Sequence, residues 1–286
     1  MKKQSGDHRP NKNGQAQSDR LRRIKYFLLD MDGTIYLDTT LIDGTLHFLD
    51  TLRTQGKRAL YITNNSSKAV VQYIEKLKML GISASADDFY TSANALVYNL
   101  KKQAPGARIF LLGTPALEEY LCQNGFQLVK EYTEDPQARP AFVVLAYDTT
   151  LTYDKLRIAC DYLTDGVTYW ATHPDQVCPV GVGRSVPDAG AFMACIEVAT
   201  GRRPSFVAGK PNPCIIHMVM EATGCSAEEI AVVGDRLNTD ILSAVNAGVT
   251  SICVLTGETS ADMIKKSDIQ PDFVFHSIKD LWEILR

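Results

Sequence analysis

Short apolar runs alternate with helical patterns along nearly the whole chain, and this alternation is what most narrows the folds open to it. Residues 24–29 form a compact apolar run that opens into DMDGT at 30–34. Such a run suits a buried parallel strand whose carboxyl end leads into a loop. Residues 45–55 then place Leu46, Leu49 and Leu52 at helical spacing before Gly56, a C-terminal stop. Residues 58–62 read as a second strand ending at Thr63-Asn64-Asn65, and residues 66–80 carry Val70, Ile74 and Leu77 on one helical face before Gly81. A β-α-β-α order with short connections predicts an α/β fold, a doubly wound, Rossmann-like parallel sheet.

The same order resumes downstream. Residues 192–199 read as a helix, 206–208 as a short strand, 215–223 as a helix before Gly224, and 230–233 as a strand. A helix at 239–247 before Gly248, a strand at 250–255, and a last strand and helix at 273–275 and 278–285 complete the pattern. Between the halves lies another β-α set, bounded by Pro105-Gly106 and by a turn-rich stretch over 174–190. The expected organisation is a discontinuous core over 21–104 and 186–286, an inserted α/β domain over 105–185, and a disordered tail over 1–20. The chain of 286 residues has room for such a pair.

Charge and cysteine content exclude several functions. The formal charge is −3, and the first 20 residues hold five basic side chains against two acidic ones, which leaves −6 on the rest. An acidic folded part speaks against nucleic acid as a partner, because that affinity rests on phosphate neutralisation. The longest apolar run, residues 141–147, is far short of the roughly 18–20 residues of a membrane helix, so no membrane span is expected. The basic start lacks an apolar segment behind it and does not read as a signal peptide. Seven cysteines, none in CxxC spacing, then point to reduced thiols and a cytoplasmic protein.

Four aspartates fall at the ends of strand-like runs: Asp30 and Asp32 after the first, Asp235 after residues 230–233, and Asp240 five residues on. Ligand sites of open α/β sheets lie at the carboxyl ends of strands. Alternate residues of an extended segment point the same way, so Asp30 and Asp32 can face one site, with Gly33 allowing the tight turn. Crowded carboxylates need a cation to stay ionised, and an oxygen-only donor set suits Mg²⁺. Lys210, in Gly-Lys-Pro after a strand, adds a second positive charge, while Thr63 and Asn64 offer a hydroxyl, an amide and backbone N–H groups. Metal, lysine and neutral donors around an acidic nucleophile describe a phosphoryl-transfer site. Each piece alone has a plainer reading, as a turn, a helix-start charge or a solvated lysine. Asp-x-Asp-Gly also opens EF-hand loops, but this chain has Leu41 where the twelfth-position Glu belongs. The metal-binding Asp-x-Asp of a glycosyltransferase stays open at this point.

Taken together, DMDGT at 30–34, ITNNS at 62–66, GKP around Lys210 and GDRLNTD at 234–240 resemble the four motifs of haloacid dehalogenase-like (HAD) hydrolases. FYTSA at 89–93, ATHPD at 171–175 and AGKPNP at 208–213 narrow the resemblance to the NagD-like, p-nitrophenylphosphatase branch, subfamily IIA. That branch carries a large α/β cap (C2 type) between its second and third motifs, and here Thr63 and Lys210 are 147 residues apart. The resemblance implies a Mg²⁺-dependent phosphatase acting on small phosphorylated metabolites. Asp30 would be the nucleophile and Asp32 the acid and base, while Asp30, the Asp32 carbonyl and Asp235 would hold the metal. Thr63 and the Asn64 backbone would bind phosphate, Lys210 would neutralise the phosphate and Asp30 charge, and Asp240 would support the metal site or Lys210.

In the cap, His173 stands where the branch commonly has Asn, which makes His173 and Asp175 candidates for a substrate loop. A packed histidine is the competing reading. Residues 175–188 would link cap to core and line the entrance, with Arg184 as their one strong cation. The resemblance also implies a homodimer through the cap. Sugar phosphates, phosphoglycolate, nucleotides and pyridoxal phosphate are all compatible substrates. A phosphotransferase or mutase, and a non-catalytic phosphate-binding protein, are the rival functions.

Overall fold

The computed structural model describes residues 19–180 and 183–286. The tail expected over 1–20 therefore lies almost wholly outside the described residues; of it, Arg20 pairs with Asp272 at 2.7 Å. In chain order the first strands are β1 (Tyr26–Leu29), the hairpin strands β2 (Tyr36–Leu37) and β3 (Thr40–Leu41), β4 (Arg58–Thr63) and β5 (Phe89–Thr91). Next come β6 (Arg108–Leu112), β7 (Gln127–Val129), β8 (Phe142–Leu145) and β9 (Thr168–Ala171), then a second hairpin, β10 (Val177–Pro179) and β11 (Ser185–Pro187). The chain ends with β12 (Phe206–Val207), β13 (Ile230–Gly234), β14 (Thr250–Val254) and β15 (Phe273–Phe275).

Two parallel sheets result. The core sheet has the order β15-β14-β13-β1-β4-β5 and the cap sheet the order β12-β9-β8-β6-β7. Strand β1 is central, flanked in register by β4 and β13, so that Leu28 lies between Leu60 and Val232. Both faces of the core sheet are covered, which is why its strands read as continuous apolar runs. Alternation divides them: Phe27, Leu29, Tyr61, Ala231 and Val233 pack on one face, and Leu28, Leu60, Ile62 and Val232 on the other.

That second face does not end at the core. Its apolar cluster includes Leu96 and Leu100 of the helix Ser92–Gln103, Ile215 and Val219 of the helix Cys214–Thr223, and Leu111, Phe142, Val144 and Trp170 of the cap sheet. Core and cap share one hydrophobic interior.

Three expectations need correction. The sequence pattern returns the chain to the core at residue 186, but β12 pairs with β9 in the cap sheet, and Ile196 of the helix Ala189–Thr200 packs into the cap cluster. The return to the core therefore comes after Val207. A strand of two residues and an apolar helix carry no mark of the sheet they join; only the ladder hydrogen bonds decide it. The helix expected over 66–80 begins at Val70, because Asn65 Oδ1 accepts from the Ser67 N–H and hydroxyl and holds the chain in a turn. The helix expected from residue 239 starts with a wide turn over Leu237–Ile241, in which the Ile241 N–H reaches Arg236 O, before Leu242–Ala247.

Candidate active site

The chain leaves β1 for β4 and β5 on one side, and for β13, β14 and β15 on the other, so β1 is the topological switch point where a crevice opens. Asp30 comes directly after it, its N–H donating to Val233 O at 2.9 Å, and so stands beside Asp235 at the end of β13. Thr63 ends β4 on the opposite flank. Gly33 has φ +84°, and a Cβ there would meet Asp235 Oδ2 at 2.6 Å. Gly257, after β14, leaves no room for a Cβ against the same carboxylate. Both glycines are shaped around Asp235, whose Oδ2 accepts from Glu258 N–H at 2.7 Å. Its Oδ1 is buried with no hydrogen-bond partner among the described residues.

Lys210 enters from the cap. It lies just beyond β12, and its Nζ is 2.6 Å from Asp30 Oδ1 and 2.5 Å from Asp240 Oδ1, with only 4% of its side chain exposed. The sequence expectation that a core strand delivers this lysine is thus corrected: the cap sheet presents it. Burial opposes the ammonium charge, but Asp240 and Asp30 outweigh it and hold Lys210 above its ordinary pKa. Burial also pushes the Asp30 carboxyl up to about 8 against the pull of Lys210. The Asp235 carboxyl is pushed up to about 6 by burial and by Asp240. Carboxylate oxygens of Asp30, Asp235 and Asp240 all lie within 4.8 Å of one another. Three carboxylates against one ammonium leave a local charge of −2 when all are ionised. A divalent cation neutralises that charge, and the orphaned Asp235 Oδ1 is the acceptor it would find.

Asp32 keeps solvent access at the rim. Its carboxyl is raised by burial, and among the charges acting on it are Lys76 and Arg236, both from the core. Arg236, whose Nε pairs with Glu258 at 2.9 Å, is not singled out by the sequence motifs. Neither is the loop after β14 that carries Gly257 and Glu258. The rule that points to Asp30 and Asp235, attention to the residues just beyond each core strand, points to that loop as well.

Thr63 Oγ1 accepts from Asn65 N–H at 3.2 Å, which leaves its own hydroxyl hydrogen to donate. The Asn64 side chain is fully engaged: Oδ1 accepts from Lys210 N–H at 2.8 Å, and Nδ2 donates to Lys210 O at 2.9 Å and to Asp175 Oδ1 at 3.1 Å. Asp175 is half-buried and its carboxylate accepts from the Asn64 amide. His173 is completely buried, with Nδ1 on Thr172 Oγ1 at 2.8 Å and Nε2 on Asp188 Oδ1 at 2.9 Å. Both ring nitrogens are occupied and the side chain is fully buried, so His173 packs between the cap linkers, as the competing reading has it. The same occupancy leaves the cluster of His173, Asp175 and Asp188 no ring nitrogen for a metal. Arg184 is exposed. All seven cysteines are free thiols, and among the described residues no helix is long and apolar enough to cross a membrane.

The chain is similar to known hydrolases and phosphatases. Residues 27–127 match the family model described as haloacid dehalogenase-like hydrolase, and residues 207–281 match a second model described as HAD-hydrolase-like. The acid sugar phosphatase of Staphylococcus aureus is 35% identical over 260 residues, spanning 91% of this chain and 97% of that protein. The 4-nitrophenylphosphatase of Thermotoga maritima superposes with a TM-score of 0.87 at 43% identity, over 93% of this chain and 99% of its own. The glycerol phosphate phosphatase of Mycobacterium tuberculosis, solved in complex with magnesium, gives 0.82 at 30%, over 93% and 78%. The chain belongs to the haloacid dehalogenase-like hydrolases. Within them it is a member of the NagD-like, p-nitrophenylphosphatase branch, a hydrolase of phosphomonoesters.

Proposed function

We propose that this enzyme hydrolyses small phosphomonoesters of the sugar or polyol type with Mg²⁺, by way of an aspartyl-phosphate on Asp30. The observation that carries the mechanism is the Asp30 carboxylate at the end of the central strand, with Lys210 Nζ at 2.6 Å and Asp235 on the next strand. Asp30, the Asp32 carbonyl and Asp235 would hold the metal, whose charge would neutralise phosphoryl oxygens and favour the ionised form of Asp30. Asp30 attacks phosphorus as the ester P–O bond breaks, and Asp32 gives its proton to the leaving oxygen. Asp32 then takes a proton from water, water attacks phosphorus, the bond to Asp30 breaks, and inorganic phosphate leaves. The raised pKa of Asp32 suits a group that must hold a proton in the first half of the cycle. Lys210 supplies fixed positive charge beside the nucleophile, Asp240 keeps it there, and the Thr63 hydroxyl donates to a phosphoryl oxygen.

The substrate class rests on the relatives: one acts as an acid sugar phosphatase and another as a glycerol phosphate phosphatase. A reducing compartment such as the cytoplasm suits its seven free thiols. Phosphate release should be measured across sugar phosphates, glycerol phosphate, phosphoglycolate, nucleotides and pyridoxal phosphate, with Mg²⁺ or EDTA, beside Asp30→Asn. Metal-dependent release from polyol phosphates that vanishes in the variant is expected. Release that survives EDTA or the substitution would overturn the mechanism, and accumulation of a phosphorylated acceptor would favour a phosphotransferase.

A further inference from the structure

Lys210 and Asp175 arrive at the active site from neighbouring strands of the cap, not from the core. Strands β9 and β12 pair in parallel, Phe206 beside Trp170 and Val207 beside Ala171. The pairing continues past the strands, where Ala208 N–H donates to Ala171 O and Gly209 N–H to Thr172 O. The two chain segments therefore leave the cap together and close on one core side chain, the Asn64 amide. Its bonds to Lys210 N–H and O form a closed ring, and its remaining amide hydrogen goes to the Asp175 carboxylate. A flipped amide would set Oδ1 against both that carboxylate and Lys210 O, and Nδ2 against the Lys210 N–H, so Asp175 reinforces the orientation that holds the Lys210 backbone and adds a charged anchor to it. The Asp175 main chain is itself tied down, its carbonyl accepting from Gly190 N–H at 2.7 Å, next to the buried pair of His173 and Asp188.

We propose that Asp175 is a positioning residue for the reaction, acting through Asn64 to fix Lys210 against Asp30. This rests on the phosphatase reading and adds to it a route by which the cap sets the geometry of the catalytic lysine independently of the leaving group. A group that shapes the site through another residue alters every substrate alike, whereas a group that touches the leaving group alters them selectively.

The test uses the full-length, Mg²⁺-loaded enzyme with phenyl phosphate and glycerol phosphate, and inorganic phosphate as inhibitor. Asp175→Ala should lower kcat about tenfold on both substrates and weaken inhibition by phosphate. Asp175→Asn, which keeps an acceptor for Asn64 but loses its charge, should lose only about two- to threefold. The double variant Asp175→Ala/Asn64→Ala should be no slower than Asn64→Ala alone, because both act along one path. Losses that multiply, or that fall on one substrate through KM, would overturn the proposal while leaving the phosphatase reading intact. Asp175→Asn carries the same comparison if Asp175→Ala does not fold. Wild-type protein that releases no phosphate from either substrate would overturn that reading, and the proposal with it.

Discussion

In the core sheet, Asp30, Thr63 and Asp235 each leave the end of their own strand, and they meet because β4, β1 and β13 are neighbours. In the cap sheet, the residues that reach the same crevice leave β9 and β12, and they meet only by converging on a core side chain, Asn64. The core therefore carries its chemistry on the carboxylates themselves, while the cap contributes one cation and the hydrogen bonds that aim it. A shared apolar interior through Leu96, Trp170 and Ile215 keeps the two sheets in fixed relation. Convergence from two sheets demands such a shared interior, since a hydrogen-bonded ring around Asn64 tolerates little displacement.

The largest effect should come from the core nucleophile. Asp30→Asn should lower kcat by roughly 10³-fold or more while the protein still folds, since the change removes a buried charge and no volume. Substantial turnover by that variant would move the nucleophile elsewhere. Next, Gly257→Ala should displace the Asp235 carboxylate that its Cβ would strike. The Mg²⁺ concentration for half-maximal activity should then rise by about tenfold or more, together with a similar shift in Asp235→Asn. An unchanged metal titration in both would remove Asp235 from the metal site.

A smaller effect concerns the cost of the carboxylate cluster when no ion is bound. Burial holds Asp30 and Asp235 above their ordinary values, near about 8 and about 6. The folded protein therefore binds more protons than the unfolded chain between about pH 4 and 8, and stability falls as pH rises through that window. Lys210, held above its ordinary value, stays protonated throughout and leaves the slope unchanged. EDTA-treated protein should melt at least about 2 °C higher near pH 5.5 than near pH 8, and Asp30→Asn should flatten the difference. Equal melting temperatures in the wild type would mean that the cluster is not strained by its charge.

The smallest catalytic effect is expected in the cap linkers. His173→Asn removes a buried partner of Asp188 and should cost about 1–3 kcal/mol of stability by denaturant unfolding. Its kcat/KM should change by less than about threefold, equally across substrates, because the ring is sealed from the crevice. A substrate-selective change would return His173 to the substrate loop.

The legibility of the molecule in its sequence divides along the same line. Apolar runs and the loops after them mark β1, β4 and β13, and with them Asp30, Thr63 and Asp235, because a strand buried on both faces writes itself as an unbroken apolar segment. Helix ends such as Gly224 and Gly248 are legible for a local reason too, each occupying the left-handed conformation that closes its helix. The fold class, the core strands and the aspartates at their ends are thus written locally, in patterns that depend on neighbours along the chain. Long-range packing and hydrogen bonds place β12 in the cap, settle Asp240 on Lys210, bury His173 and bring Asp175 to Asn64. These last contacts join residues far apart in sequence, and a ladder bond between short strands, or a hydrogen bond between two loops, leaves no periodic trace in either partner.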